Sequence, residues 1–127
     1  MSPEEMRVII DRYIAAYNSF DVEGMLALMC DDVVFENYSG GARNLAAAGV
    51  DELRRVGAQT KGVFSSRRQT VTSCEIEGDR ATVYIDYEAV LAQDMAKGPK
   101  AGERIAFQGR SDITFRDGKI ATLIDYA

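Results

Sequence analysis

The chain has 127 residues, 46% of them apolar and 28% charged, which suits one domain around a single core and argues against a disordered or membrane-embedded chain. Fifteen Lys and Arg against twenty Asp and Glu leave a net charge of −5, a poor balance for gripping a phosphate backbone, so no nucleic-acid partner is expected. The absence of histidine removes Ser-His-Asp and Cys-His nucleophiles and every histidine-ligated metal site.

Proton transfer near neutral pH must then fall to a shifted carboxylate, a tyrosine or a lysine. Two cysteines, Cys30 and Cys74, are too few for a disulfide scaffold. The N-terminus lacks the basic and apolar regions of a signal peptide, and no apolar run approaches membrane-spanning length. A cytoplasmic chain with no metal, no cofactor and no membrane partner is the expectation.

The first half reads as helices. Ser2, Pro3 and Glu5 make a capping box with proline at the first helical position. Met6, Ile9, Ile10, Tyr13, Ile14 and Tyr17 follow at helical spacing, predicting a helix over Pro3–Ser19. Asp21 caps a second, short helix that buries Met25, Leu26, Leu28 and Met29 and ends at Cys30–Asp32. Val33–Tyr38 reads as a strand before the turn Ser39-Gly40-Gly41, with a short extended piece near Leu45–Ala48. Gly49 opens a third helix whose inner face carries Leu53, Val56 and Thr60, and Gly62 stops it.

The second half reads as long strands. Arg67–Glu77 and Arg80–Gln93 flank the hairpin signal Gly78-Asp79, and Arg104–Arg116 and Lys119–Tyr126 flank Asp117-Gly118, with a polar loop over Asp94–Gly102 between the pairs. Helices first and antiparallel strands second predict an α+β fold as one domain over residues 1–127. Strand alternation turns Val83, Ile85, Tyr87, Ala89 and Leu91 toward the helices, and likewise Phe107, Gly109, Ser111, Ile113 and Phe115. A glycine bulge at Gly118 would turn Ala121, Leu123 and Asp125 inward, whereas a two-residue hairpin would turn Ile120, Thr122 and Ile124 inward. Arg68, Thr70 and Thr72 share one face of their strand, which could line a pocket mouth.

Two groups of residues carry a family resemblance. Tyr13–Asn18, Asp21–Leu28 and Asp31–Phe35 resemble the opening of the NTF2-like, or SnoaL-like, superfamily, and Gly102–Gly109 with Phe115–Ile120 look like its closing strands. The resemblance implies a cone, in which a curved, mostly antiparallel sheet wraps three N-terminal helices around one enclosed apolar pocket. Set against ketosteroid isomerases, Tyr13 matches the helical tyrosine, but Asn37 stands at the base position. The third site position is Asp112 by sequence word and Ser111 by strand phase. A carboxamide cannot shuttle a proton, which disfavours isomerase activity. Set against limonene epoxide hydrolases, Asn37 falls on the water-holding asparagine and Asp125 on the water-activating aspartate. Phe35 replaces the tyrosine, and Tyr87 and Ala89 fall on the arginine and second aspartate. SnoaL-type polyketide cyclases use an acid/base carboxylate that this chain could supply, although their histidine is absent.

The expected site is therefore Asp125 as base with Asn37 and Tyr13 as catalytic partners. Tyr87, Phe35, Ser111, Leu123, Phe107 and Arg68 would hold the substrate. An inward carboxylate between Leu123 and Phe107 would be desolvated and its pKa raised, unless Arg68 pairs with it as a structural salt bridge. The function expected is a cofactor-independent enzyme on a small, mostly apolar substrate, with epoxide hydrolase- or cyclase-like chemistry. The alternative is a non-catalytic ligand-binding or assembly domain. Val71, Tyr84, Val90, Ile120, Ile124 and Tyr126 are expected on the outer sheet face as a homodimer surface.

Overall fold

A computed structural model describes residues 1–95 and 98–127; two positions of the expected Asp94–Gly102 loop, 96 and 97, lie outside the described residues. The elements are α1 (Pro3–Asn18), α2 (Val22–Leu26), β1 (Met29–Ser39), β2 (Ala42–Ala48), α3 (Val50–Thr60), β3 (Phe64–Glu77), β4 (Arg80–Leu91), β5 (Arg104–Arg116) and β6 (Lys119–Tyr126). The α+β expectation holds. The six strands form one curved sheet in the order β2-β1-β6-β5-β4-β3, antiparallel throughout except for the parallel pair β1·β6. No helix among the described residues is long and apolar enough to cross a membrane.

Local chemistry explains the helix ends. The Ser2 hydroxyl accepts from the Glu5 N–H at 3.1 Å and the Glu5 carboxylate accepts from the Ser2 N–H at 3.1 Å, a complete capping box. Asp21 caps α2 by accepting from the Gly24 N–H at 2.9 Å. The helix stops at Leu26, and β1 begins at Met29, four residues earlier than the apolar run beginning at Val33 suggested. At Gly57 of α3 a Cβ would meet Val22 at 3.0 Å, so glycine sets the close approach of α2 and α3.

The core lies between α1 and the inner sheet face. Met6, Ile10, Val33 and Ile120 are fully buried there, with Val83, Ile113 and Leu123 almost so. Burial of such side chains contributes about 1.5–3 kcal/mol each before ordering costs. Asn18 ties the end of α1 to β3 through two bonds: its Nδ2 donates to the Gln69 carbonyl at 3.0 Å and its Oδ1 accepts from the Gln69 N–H at 2.8 Å.

Two bulges decide which side chains face inward. In the β5·β6 hairpin Arg116 pairs with Lys119 around a two-residue turn, with positive φ at both Asp117 (53°) and Gly118 (77°). That is the turn type favoured by strand twist. It turns Ile120 inward, as the two-residue alternative required. The register then shifts: Phe115 pairs with Ile120 but Thr114 with Thr122, leaving Ala121 as the extra residue. Beyond Ala121 the phase is reversed, so Leu123 and Asp125 face inward too. The expected bulge thus lies at Ala121 rather than Gly118, and Ile120 is buried rather than on the outer face.

In the β3·β4 hairpin the register shifts between Val71 and Ser73, leaving Thr72 as the extra residue. Cys74 and Ile76 lie opposite the inward Val83 and Ala81 below that point, and Val71, Gln69 and Arg67 lie opposite Ile85, Tyr87 and Ala89 above it. Without the bulge Arg68, Thr70 and Thr72 would take those inward places. Arg68 is exposed instead, and Val71 packs against the core rather than on the outer face. Tyr84, Val90, Ile124 and Tyr126 keep the outward phase expected of them, with the Tyr126 ring stacked on Tyr38 at 5.3 Å and under the Arg110 guanidinium at 4.4 Å.

Candidate active site

Above the filled core the helices and the sheet separate around a cavity of about 510 Å³. Tyr13, Phe35, Asn37, Tyr87, Phe107, Ser111, Leu123 and Asp125 all line it, so eight of the nine expected site residues meet at one cavity. Arg68 does not: it faces the other side of the sheet because of the Thr72 bulge, and its place is taken by Arg67. The Asp125–Arg68 ion pair that would have made the carboxylate structural is absent.

Asp125 lies opposite Ser111 across β5·β6 and opposite Asn37 across the parallel β1·β6 pair. The Ser111 hydroxyl, on a residue only 5% exposed, donates to Asp125 Oδ1 at 2.6 Å. Burial raises the Asp125 carboxyl from its ordinary value to about 6, against a smaller downward pull from Ser111. Asn37 does not bond Asp125. Its Nδ2 donates to Asn44 Oδ1 on β2 at 2.8 Å, which fixes the amide at the rim of the site. Asp112, the other possibility at the third position, is on the outer face beside Arg110 at 3.2 Å, so strand phase rather than sequence word identifies the cavity residue. Gly109 leaves no open space beside Asp125: a Cβ there would meet the Tyr126 carbonyl at 3.0 Å. Glycine is needed for the close strand approach.

Tyr13 is 5% exposed, and burial pushes its phenol well above the ordinary value, with the Asp125 charge as the next cause. It remains a neutral O–H donor at all ordinary pH. Tyr17 and Tyr87 share a 2.9 Å hydroxyl contact, and burial raises both phenols. Tyr87 also stacks on Phe107 with centroids 4.8 Å apart, and Phe107, 41% exposed, lies between cavity and solvent. Among the described residues no group of three Cys, Asp or Glu is placed to hold a metal ion.

Sequence reasoning missed Arg67, Gln69 and Phe20. The Arg67 guanidinium lies 3.8 Å from the Tyr17 ring centroid and 4.5 Å from that of Phe20, and its Nε donates to the Tyr17 carbonyl at 3.0 Å. Phe20 has φ 59°, a left-handed conformation that costs a bulky residue about 1–3 kcal/mol. Gln69 is 5% exposed and its Oε1 has no hydrogen-bond partner among the described residues. The signal was present in part: Tyr17 and Phe20 were legible as apolar, but which of Arg67 and Arg68 met them depended on the bulge.

Residues 10–123 match the model of the SnoaL-like domain. Solved structures of the same fold include AclR, a candidate hydroxylase from Streptomyces galilaeus (21% identity, TM-score 0.77, covering 98% of this chain and 89% of that one). A candidate polyketide cyclase from Xanthomonas campestris pv. campestris is similar at 22% identity and TM-score 0.77, covering 98% and 90%. An LEH-like epoxide hydrolase from M. tuberculosis is similar at 16% identity and TM-score 0.76, covering 97% and 82%. The α-helices wrapped by a curved six-stranded sheet are therefore the NTF2-like cone, and this chain belongs to the SnoaL-like domain family.

Proposed function

We propose that the chain is a cofactor-independent enzyme in which Asp125 acts as general base on a small, flat, mostly apolar molecule held among the aromatic walls of the cavity. The observation that carries this is the inward carboxylate of Asp125, without a cationic partner among the described residues and raised to about 6 by burial. A base of that pKa is ionised at neutral pH and still holds a proton well enough to return it. In the cyclase-like form, Asp125 takes a proton from a carbon next to a carbonyl. The electron pair passes to the carbonyl oxygen, which the Tyr13 hydroxyl stabilises by donating a hydrogen bond. The enolate carbon attacks a second carbonyl of the same molecule, and the proton on Asp125 passes to the new alkoxide. Nothing is oxidised or reduced, so no cofactor is required.

A second reading is epoxide hydrolysis, favoured by Asn37 lying in register with Asp125. Asp125 would take a proton from water, the hydroxide would open the ring, and a tyrosine hydroxyl would supply the proton to the ring oxygen. Ala89 at the second aspartate position leaves that acid to Tyr87 or Tyr13, which is why this reading is second. Names of related proteins, a polyketide cyclase and an epoxide hydrolase among them, support chemistry of both kinds.

The test uses an aryl methyl ketone in deuterated water, with exchange of its methyl protons followed by NMR, alongside an aryl epoxide. Wild-type protein should accelerate one of them, with a rate that rises with pH through about 6 and levels above it. Asp125→Asn should lower that rate by about two orders of magnitude or more while ligand binding is kept. Equal rates for variant and wild type would refute the role of Asp125. Binding without either reaction would favour a non-catalytic ligand-binding domain. A homodimer through Tyr84, Val90, Ile124 and Tyr126 belongs to the same reading, and a monomer in sedimentation at micromolar concentration would contradict it.

A further inference from the structure

Every arginine of this chain except Arg67 is exposed; Arg110 and Lys61 also line the cavity, at its solvent-exposed edge, and Arg67 is the half-buried cation of its wall. It has no carboxylate within 4.0 Å among the described residues; Arg12, Arg55, Arg68 and Arg80 share that lack but are exposed to solvent, and the remaining arginines are ion-paired. Its Nε is used by the Tyr17 carbonyl, and both terminal nitrogens are without a hydrogen-bond partner among the described residues. The guanidinium lies over the rings of Tyr17 and Phe20, the latter in a strained backbone conformation. A half-buried cation held in place without a counter-charge is poised for an anion from outside. Two residues along the same face, Gln69 presents a buried carbonyl oxygen with no donor. That second orphan asks for a hydroxyl or N–H close to the anion.

We propose that Arg67 and Gln69 form a subsite for an aromatic hydroxy acid, the carboxylate on the Arg67 fork and the neighbouring hydroxyl donating to Gln69 Oε1. This rests on the reading of the cavity as a site for a small flat molecule and names the acidic end of that molecule. One guanidinium matches the single charge of a carboxylate, and the Gln69 carbonyl disfavours a doubly charged phosphate. Arg67 and Asp125 stand on β3 and β6, three strands apart, or about 14 Å along the sheet. The acid group is thereby kept away from the base, and the reactive carbon is directed toward it.

The chain has no tryptophan, so a naphthalene probe can be followed by its own fluorescence. The probes are 3-hydroxy-2-naphthoate, 2-naphthoate and 2-naphthol. The hydroxy acid should bind about tenfold or more tightly than 2-naphthol. Arg67→Met should remove that advantage from both carboxylates and leave 2-naphthol within about twofold, and Arg67→Lys should restore part of it. Gln69→Leu should abolish the preference for hydroxy acid over 2-naphthoate. Equal affinity for the three probes, or an equal weakening of all three in Arg67→Met, would overturn the subsite and leave the role of Asp125 standing. Failure of all three to bind would overturn the subsite and the small-molecule reading together.

Discussion

The two ends of this sheet obey the same alternation of faces but use it differently. Toward the Gly78-Asp79 and Asp117-Gly118 hairpins the inward positions are Ala81, Val83, Ile113, Phe115 and Ile120, closed by Met6 and Ile10 of α1, and all are 5% exposed or less. Toward the other end the inward positions on these strands and on β3 include Arg67, Gln69, Tyr87, Ser111 and Asp125, around a cavity. The Ala121 and Thr72 bulges lie between the two halves. Each allows one strand to keep its apolar side chains in the filled half and still deliver polar ones to the cavity. The comparison teaches that the site is made by register as much as by residue choice, consistent with the tendency of bulges to stand beside functional sites.

The strongest way to break the comparison is to delete Ile124, which leaves the filled half untouched and moves Asp125 to the place opposite Asp112. Alternation then turns Asp125 to the outer face and puts Tyr126 inward in its stead. We expect loss of all Asp125-dependent turnover; unchanged turnover would contradict the dependence of the site on register. Next in size is truncation in the filled half. Ile10→Ala, at a side chain with no exposure, should cost about 2–5 kcal/mol in denaturant unfolding. Val56→Ala, which removes two carbons from the cavity wall where Ile10→Ala removes three from the core, should cost about 1 kcal/mol or less, because the space beside it already exists. Similar costs at both sites would remove the distinction between the halves.

Asp125→Asn gives the sharpest contrast. Asp125 holds its proton more tightly folded than unfolded, so folding takes up a proton between about pH 4 and 6 and stability falls as pH rises across that window. Above it the charged carboxylate is a net cost, of about 1–3 kcal/mol once its partial contact with cavity solvent is allowed for. The variant keeps shape and hydrogen-bond acceptor, so it should be more stable than wild type by that amount at pH 8 and nearly equal to it at pH 4. A variant less stable than wild type at pH 8 would show the carboxylate to be structural.

Much of the fold could be read from the chain because several signals agreed at each place. Ser2, Pro3 and Glu5 with the spacing from Met6 to Tyr17 left one answer for α1, and the limits of β5 and β6 were legible from Asp117-Gly118 and the alternation on either side. Boundaries failed where apolar residues were interrupted: Cys30-Asp31-Asp32 reads as a stop, yet Met29–Asp32 already belongs to β1, whose first residue, Met29, pairs with Ile120. The site was legible on β4 and β5, which carry no bulge. On β6 the inward Asp125 was expected from a bulge at Gly118 and is produced by one at Ala121. On β3 nothing in Val71-Thr72-Ser73 announces an extra residue, so Arg68 stood where Arg67 belongs, and the orphaned Gln69 went unseen. A bulge is a compromise between two distant packing demands, and neither demand is local to its sequence.

The central claim is that Asp125 is an inward, half-buried base with no ionic partner among the described residues. The most direct measurement is the titration of its carboxyl carbon by NMR in the ligand-free protein, assigned by its loss in Asp125→Asn. The account predicts a midpoint of about 6. A midpoint near the ordinary aspartate value of about 4 would mean a solvated or ion-paired carboxylate and would contradict it.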